Sequence, residues 1–130
     1  MGTRSLTFIY DNDEVFLCMY KQYDGYPSGY GKDLFKFLNG KNLVNGIGEN
    51  KLVFNGMGCL AAQLVSEFKD GAGDIYIYPA TTKDAGQDYE YHVKSKDGVI
   101  TVDVVGCNGA EFSGTVSEFG EYIDSEKNGD

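Results

Sequence analysis

The stretch Tyr20-Lys21-Gln22-Tyr23-Asp24-Gly25-Tyr26-Pro27-Ser28-Gly29-Tyr30-Gly31 is where the sequence changes from a strand pattern to a helix pattern. In the segment from Val15 to Tyr23, residues Val15 to Met19 are apolar at successive positions, which is typical of a strand covered on both faces. After Gly31, apolar residues recur at helical spacing and the pattern stops at Gly40, a residue suited to a left-handed helix cap. The stretch therefore predicts a strand, an aromatic and glycine-rich loop, and a short amphipathic helix.

Around this stretch, the first half of the chain predicts a hairpin and a second helix. Ser5 to Tyr10 reads as a strand that pairs with Val15 to Tyr23 across the turn Asp11-Asn12-Asp13-Glu14. Lys41 to Lys51 predicts an irregular loop, and Leu52 to Phe54 a brief extended piece. Asn55 is suited to cap a helix. The apolar stripe of that helix is Met57, Leu60, Ala61, Leu64, Val65 and Phe68.

The second half of the chain predicts three strands and a last helix. Asp74 to Tyr78 alternates and ends at Pro79, as an edge strand does. Tyr89 to Ser95 and Val99 to Val105 form a hairpin, because the Asp97-Gly98 pair favours a tight turn. Thr115-Val116-Ser117-Glu118 matches a capping box. The helix that it starts would bury Phe119, Tyr122 and Ile123.

These elements predict an α+β fold with one antiparallel sheet of about five strands, two main helices on one face and a short C-terminal helix. A chain of 130 residues has room for one full-sized core. We therefore expect a single domain over residues 1–124 and a flexible tail over residues 125–130.

The net charge limits the kinds of molecule that the protein is expected to bind. Eleven basic and twenty acidic residues give a net charge of -9, which disfavours nonspecific binding to nucleic-acid phosphates. A small anionic ligand remains compatible with this charge, since one local cation outweighs a distant screened field. Mimicry of a polyanion is compatible as well.

Several chemistries are disfavoured. Cys18, Cys59 and Cys107 lie far apart and predict reduced thiols, and with His92 as the only histidine we expect no metal site and no cofactor. The same residue inventory disfavours enzyme activity, so we assign no catalytic residue. No signal peptide or membrane-spanning stretch is evident, and we expect a cytoplasmic protein, in the host cytoplasm if a phage encodes it. The residues are compatible with a monomer or a homodimer.

The glycine-rich loop is the candidate ligand site. Backbone amides near Gly29 to Lys32 would converge on an anion, polar side chains would add contacts, and tyrosine rings would stack on a planar group. The alternative is that the glycines only permit a tight connection and the tyrosines cover a helix end. The candidate ligand-binding residues are Arg4, Gln22, Asp24, Tyr26, Ser28, Gly29, Tyr30, Gly31 and Lys32.

Arg4, the only arginine, precedes the first strand and is expected beside this loop. An ion pair with Asp24 would fix the loop, and we favour that interpretation. An Arg4 that faced a cleft would instead bind phosphate or carboxylate.

Two blocks carry a resemblance, the N-terminal Gly2-Thr3-Arg4-Ser5 and the loop from Tyr20 to Gly31. Over about residues 1–40 the chain resembles a group of small uncharacterised proteins of phage and bacterial genomes. Those proteins commonly carry His where this chain has Tyr30, so the resemblance implies no catalytic residue. It implies an accessory role.

The leading hypothesis is a non-enzymatic binding protein that sequesters a small anionic, nucleotide-like ligand, as a phage counter-defence protein would. The first alternative is an acidic inhibitor of a host protein. The second is a small phosphodiester hydrolase that uses His92, Asp24 and tyrosines. The carboxylates offered for the inhibitor are Asp84, Asp88, Glu90, Asp97, Asp103, Glu111, Glu118 and Glu121.

Overall fold

The computed structural model describes residues 2–44 and 53–125. A π-helical turn, Pro27–Gly31, leads directly into the first α-helix. The strands and helices, in chain order, are β1 Ser5–Asp11, β2 Glu14–Lys21, α1 Lys32–Leu38, β3 Asn42–Val44, β4 Val53–Asn55, α2 Gly56–Phe68, β5 Ile75–Tyr78, β6 Tyr89–Lys96, β7 Val99–Gly106, β8 Gly109–Thr115 and α3 Val116–Ser125.

The main sheet has six strands in the order β5-β2-β1-β6-β7-β8. Its neighbouring strands are antiparallel except β1 and β6, which run parallel with Phe8 beside His92. The short strands β3 and β4 form a separate parallel pair. The fold is α+β, as predicted, but the predicted antiparallel sheet of about five strands fits only roughly, because the sheet has six strands and one parallel pair.

The parallel pair arises because the segment 79–88 returns the chain to the beginning of β1. The amide of Asp88 donates to the Arg4 carbonyl at 2.8 Å, and the Arg4 amide donates to Asp88 Oδ2 at 3.1 Å. These bonds start β6 beside the start of β1, so that both strands run in the same direction. The sixth strand, β8, was missed because Gly109–Thr115 has Phe112 as its one large apolar residue and shows no alternation.

The turn predictions are confirmed where the chemistry is local. Asn12 and Asp13 have φ values of 53° and 70°, and Asp97 and Gly98 have values of 53° and 80°, as tight two-residue hairpin turns require. Gly40, at φ 78°, follows the end of α1 in the left-handed region. The capping box also forms, since the Thr115 amide donates to Glu118 Oε1 and the Glu118 amide donates to Thr115 Oγ1.

The helices cover one face of the sheet, and the main core lies between them and the strands. The predicted α2 stripe is confirmed, with Met57, Leu60, Ala61 and Leu64 buried, and α3 buries Phe119 and Ile123. Each such large apolar side chain contributes about 1.5–3 kcal/mol when fully buried. The strand side chains in this core are Ile9, Met19, Ile75, Tyr91, Val93, Ile100, Val102 and Val104.

The opposite face, which we call the open face, has no helix residue in its buried cluster within the described part of the chain. That cluster consists of Leu6, Phe8, Cys18 and Tyr20, with Ala85 of the segment 79–88 packed against it. Side chains alternate between the two faces along a strand, so Tyr10 and His92 also lie on the open face. Among the residues that the structure describes, the open face is therefore covered in part, by the segment 79–88.

Some predictions fall on residues outside the described ranges. The predicted loop Lys41 to Lys51 is described only to residue 44, and Asn42 to Val44 of it form β3. Residues 126–130 of the predicted tail are not described, whereas Ser125 ends α3. Across 2–44 and 53–125, no helix has both the length and the apolar character needed to cross a bilayer.

Candidate functional site

The amides of the glycine-rich loop are engaged within the loop itself. Gly29 and Gly31 donate to the Tyr26 carbonyl at 2.9 and 3.3 Å, and Tyr30 donates to the Asp24 carbonyl at 2.8 Å. The Lys32 amide donates to the Gly29 carbonyl. Since all four N–H groups already have partners, the predicted amide cradle for an anion does not form.

Tyr30 and Gly31 belong to the core. The Tyr30 side chain is 1% exposed and its hydroxyl lies 2.6 Å from Thr7 Oγ1. Burial raises the pKa of Tyr30 well above its ordinary value, so the hydroxyl stays protonated. A Cβ on Gly31 would lie 2.9 Å from Ile123 Cδ1, which shows how closely α3 packs on this turn. Both residues anchor the start of α1.

Close packing also explains the other loop glycines. The Gly25 amide donates to the Thr3 carbonyl, and the Gly25 carbonyl accepts from the Tyr91 hydroxyl at 2.7 Å. A Cβ on Gly25 would lie 2.7 Å from Ser5 Cβ, and a Cβ on Gly29 would lie 2.8 Å from the Tyr26 ring. The loop therefore crosses the start of β1 at a distance that only glycine permits.

The Arg4 backbone lies beside the loop at Gly25, whereas its side chain lies on the open face. Its guanidinium forms no ion pair with a carboxylate in the described ranges, so the expected pair with Asp24 is wrong. The guanidinium instead lies against the segment 79–88, where a Cβ on Gly86 would be 2.9 Å from Nη1. Although the chain has 20 acidic residues, no carboxylate among the described residues pairs with the Arg4 charge.

Tyr20, Tyr76 and Tyr78 lie on this face, and Tyr20 among them is near Arg4. Tyr20 stacks on Tyr78 with ring centroids 4.9 Å apart, and it meets the Tyr76 ring at 5.9 Å. The Tyr20 hydroxyl donates to Gln22 Oε1 at 2.6 Å. Burial raises the pKa of Tyr20, while the nearby Arg4 charge acts in the opposite direction. Tyr76 is 48% exposed and the Lys69 ammonium lies 5.6 Å from its ring centroid, so an aromatic surface next to this lysine is open to solvent.

The nine predicted ligand residues therefore separate into three groups. Arg4 and Gln22 lie together on the open face around Tyr20. Tyr30 and Gly31 lie in the core, and Lys32 is exposed at the start of α1. The others form the loop, where the Tyr26 hydroxyl reaches Asp24 Oδ1 at 3.3 Å; these are Asp24, Tyr26, Ser28 and Gly29. Ligand binding by these residues stays a prediction.

A polar chain that the sequence did not reveal runs through His92. Its Nδ1 lies 2.7 Å from the Tyr10 hydroxyl, and its Nε2 lies 2.9 Å from Glu90 Oε1. The His92 ring stacks on Phe8 with centroids 4.9 Å apart. Tyr10 and His92 are 82 positions apart, on two strands that the sequence predicts without predicting that they pair. Two surface cavities, of about 420 and 310 Å³, adjoin this chain.

This arrangement bears on the hydrolase alternative. Both His92 nitrogens are engaged by protein groups, so neither is open to a substrate as the structure stands. Asp24 belongs to the loop that crosses the chain just before β1 begins at Ser5. His92 pairs with Phe8, three positions further along β1, which is about 10 Å from Ser5 at 3.3 Å per residue. The proposed pair is therefore not assembled.

Many carboxylates offered for polyanion mimicry already serve the fold. Asp88 accepts from the Arg4 amide, and Asp103 accepts from Ser113 and pairs with Lys94 at 3.0 Å. The others engaged are Asp84 with the Gly86 amide, Glu90 with His92, Glu111 with the Tyr122 hydroxyl and Glu118 in the capping box.

No family model, curated protein or solved structure matches the chain. The functional argument therefore depends on the geometry of the open face.

Proposed function

We propose that this protein binds a small anionic, nucleotide-like ligand without transforming it, and that Arg4 on the open face is the residue that holds the anion. The observation that carries the proposal is the guanidinium of Arg4, which makes no ion pair in residues 2–44 and 53–125 although the chain is strongly acidic. Guanidinium presents several N–H donors in a planar fork that matches phosphate and carboxylate.

The nucleotide-like character of the ligand is supported by aromatic rings on the same face as Arg4. Tyr20 is near Arg4 and contacts the rings of Tyr76 and Tyr78, and the half-exposed ring of Tyr76 offers a stacking surface for a base. Stacking of one base on an aromatic side chain contributes about 1–3 kcal/mol. Gln22, which accepts from the Tyr20 hydroxyl through Oε1, supplies an amide at the same place.

The biological setting is proposed from the resemblance alone. A phage-encoded protein with this site would act in the host cytoplasm by sequestering a nucleotide signal. An acidic inhibitor of a host protein is the second candidate, but the engagement of Asp88, Glu90 and Asp103 in local bonds leaves it with less support.

The test is thermal denaturation of the purified protein with a panel of nucleotides, cyclic dinucleotides and ADP-ribose. A ligand that binds only the folded state raises the melting temperature. At a ligand concentration of one hundred times its Kd, the free energy of unfolding rises by about 2.7 kcal/mol. We expect at least one member to shift the wild type and to leave Arg4→Gln unshifted. Lys36→Gln, which removes an exposed positive charge from α1, is the matched control and should keep the shift.

An equal loss in both variants would mean that only net charge matters and would count against a site at Arg4. A panel without any effect on the wild type, together with a salt-sensitive complex in host lysate, would transfer support to the inhibitor.

A further inference from the structure

Beyond the proposed function, the larger cavity on the open face has the composition of a second, separate site. It has a volume of about 420 Å³ and lies between strand residues and the segment 79–88. Such a volume falls within the range of small-molecule sites. Its lining combines apolar side chains, hydroxyls, one lysine and the polar chain of His92; the residues that the argument uses are Phe8, Tyr10, Lys83, Glu90 and His92.

The wall of this cavity is held in place by its own hydrogen bonds. Gln87 Nε2 donates to the Lys83 carbonyl at 2.9 Å and to Glu90 Oε2 at 2.8 Å. The Thr82 amide donates to the Pro79 carbonyl at 2.9 Å. One side chain thus ties the wall to the strand that carries His92, so that the space is formed before a ligand arrives.

The hydrogen bonds around His92 fix which group donates. A carboxylate only accepts, so His92 Nε2 donates to Glu90, and the neutral ring accepts from the Tyr10 hydroxyl at Nδ1. In this state the Tyr10 hydroxyl proton is used in the hydrogen bond to His92. When His92 gains a proton, Nδ1 becomes a donor to the Tyr10 oxygen, and the Tyr10 hydroxyl turns its own proton toward a new acceptor.

We propose that this cavity binds a small aromatic anion and that binding is coupled to uptake of one proton by His92. The Phe8 ring stacks on the His92 ring, and the Tyr10 ring is tilted by 46° beside His92 with centroids 5.7 Å apart, so three aromatic rings line one side of the cavity. The released Tyr10 hydroxyl would then donate to the anion, and Lys83 in the lining adds a positive charge.

Charged groups of both signs lie around His92. Glu90 is hydrogen-bonded to the ring, and Asp103 of β7 shares the adjoining cavity with Tyr10, His92 and Lys94. Lys94 is neutralised by Asp103 at 3.0 Å, and Lys83 lines the opposite wall. Burial raises the pKa of Tyr10, so its hydroxyl remains a proton donor at neutral pH.

The test uses benzoate as the ligand and benzamide as its uncharged isostere. The ring protons of the only histidine report on the cavity in a proton NMR spectrum without further assignment. We expect benzoate to move these signals and to bind several-fold more tightly at about pH 5.5 than at about pH 8, the interval in which histidine changes charge. Benzamide should bind weakly and without this pH dependence.

Tyr10→Phe keeps the ring and removes the hydroxyl, and it should abolish the pH-dependent part of benzoate binding. Tyr122→Phe, which removes from α3 a hydroxyl that donates to Glu111 of β8, is the matched control and should bind as the wild type does. The proposal is overturned if benzoate leaves the His92 signals unchanged at both pH values, if benzamide binds equally well, or if Tyr10→Phe retains the full effect. None of these outcomes depends on Arg4, so this site and the proposed function fail independently.

Discussion

At the scale of single residues, Tyr30 shows how a side chain suited to ligand stacking is used by the core. Its ring meets Tyr91 and Phe68 edge-on at 5.1 and 5.3 Å, and its hydroxyl is bonded to Thr7. The sequence could not separate the two roles, because an aromatic residue beside glycines is expected both in ligand loops and at helix starts. Thr7, a buried polar residue on β1, was the missing partner.

Tyr30→Phe is therefore expected to destabilise the fold. The substitution leaves buried Thr7 without its hydrogen-bond partner, which costs about 1–3 kcal/mol. Urea denaturation followed by circular dichroism measures the loss. Tyr76→Phe removes a hydroxyl from a ring that is 48% exposed and should change the free energy of unfolding by less than about 0.5 kcal/mol. Equal stability of Tyr30→Phe and the wild type would contradict the structural role.

The cysteines provide a second prediction at this scale. Cys18 is fully buried, and burial, with a smaller effect from Glu90, raises the pKa of its thiol to about 11. Cys107 is exposed. Since the thiolate is the reactive form, iodoacetamide at about pH 8 should modify Cys107 rapidly and Cys18 only after unfolding. Mass spectrometry of the digested protein gives both rates. Comparable rates in the native protein would mean that Cys18 is reached through an opening of the sheet.

At the scale of elements, two helical glycines are expected to respond in opposite directions. A Cβ on Gly58 of α2 would meet no atom within 4 Å, whereas a Cβ on Gly120 of α3 would lie 2.5 Å from Phe35 Cε1. Gly58→Ala should stabilise the protein by up to about 1 kcal/mol, because alanine favours the helix. Gly120→Ala should cost about 1–3 kcal/mol through overpacking between α1 and α3.

Chemical denaturation of the two variants beside the wild type gives both free energies of unfolding. If Gly120→Ala were as stable as Gly58→Ala, α1 and α3 would have to be packed more loosely than the structure indicates.

Elements with local signals were predictable, and those that depend on distant pairing were not. The Asp97-Gly98 turn, the Thr115 to Glu118 capping box and the α2 stripe each lie within a few residues and were recognised. The parallel pairing of β1 with β6 joins residues 84 positions apart, as between Arg4 and Asp88, and no local pattern encodes it. The same pairing creates the Tyr10–His92–Glu90 chain, so the sequence identified His92 without its partners.

At the scale of the whole molecule, the two faces of the sheet divide structure from candidate function. The helices and the glycine-rich loop complete the core on one face, while the only arginine and the only histidine lie on the other. The segment 79–88 contacts both, because Gly86 lies against Arg4 and Gln87 is bonded to Glu90 beside His92. The open face is thus the part of the molecule where a ligand site can lie without changing the main core.

The buried tyrosines of both faces predict how the stability of the molecule depends on pH. Burial raises the pKa of Tyr20, Tyr30 and Tyr91 above the ordinary value of 10.0. Above about pH 10 the unfolded chain loses these protons while the folded chain keeps them, so the folded state binds more protons and the free energy of unfolding falls as pH rises. The contribution of these protonated hydroxyls to the free energy of unfolding is therefore fully present below about pH 10 and is lost as the pH rises further.

Urea denaturation at about pH 8 and about pH 10.5 measures this loss, and Tyr30→Phe should show a smaller one because it has one buried hydroxyl fewer. Repulsion within a chain whose net charge is already -9 acts in the same direction, but added salt screens repulsion between exposed charges. A loss that salt abolishes, and that Tyr30→Phe shares in full, would assign the alkaline instability to surface charge. A loss that persists in salt and is reduced in Tyr30→Phe would assign it to the buried hydroxyls on which the core is built.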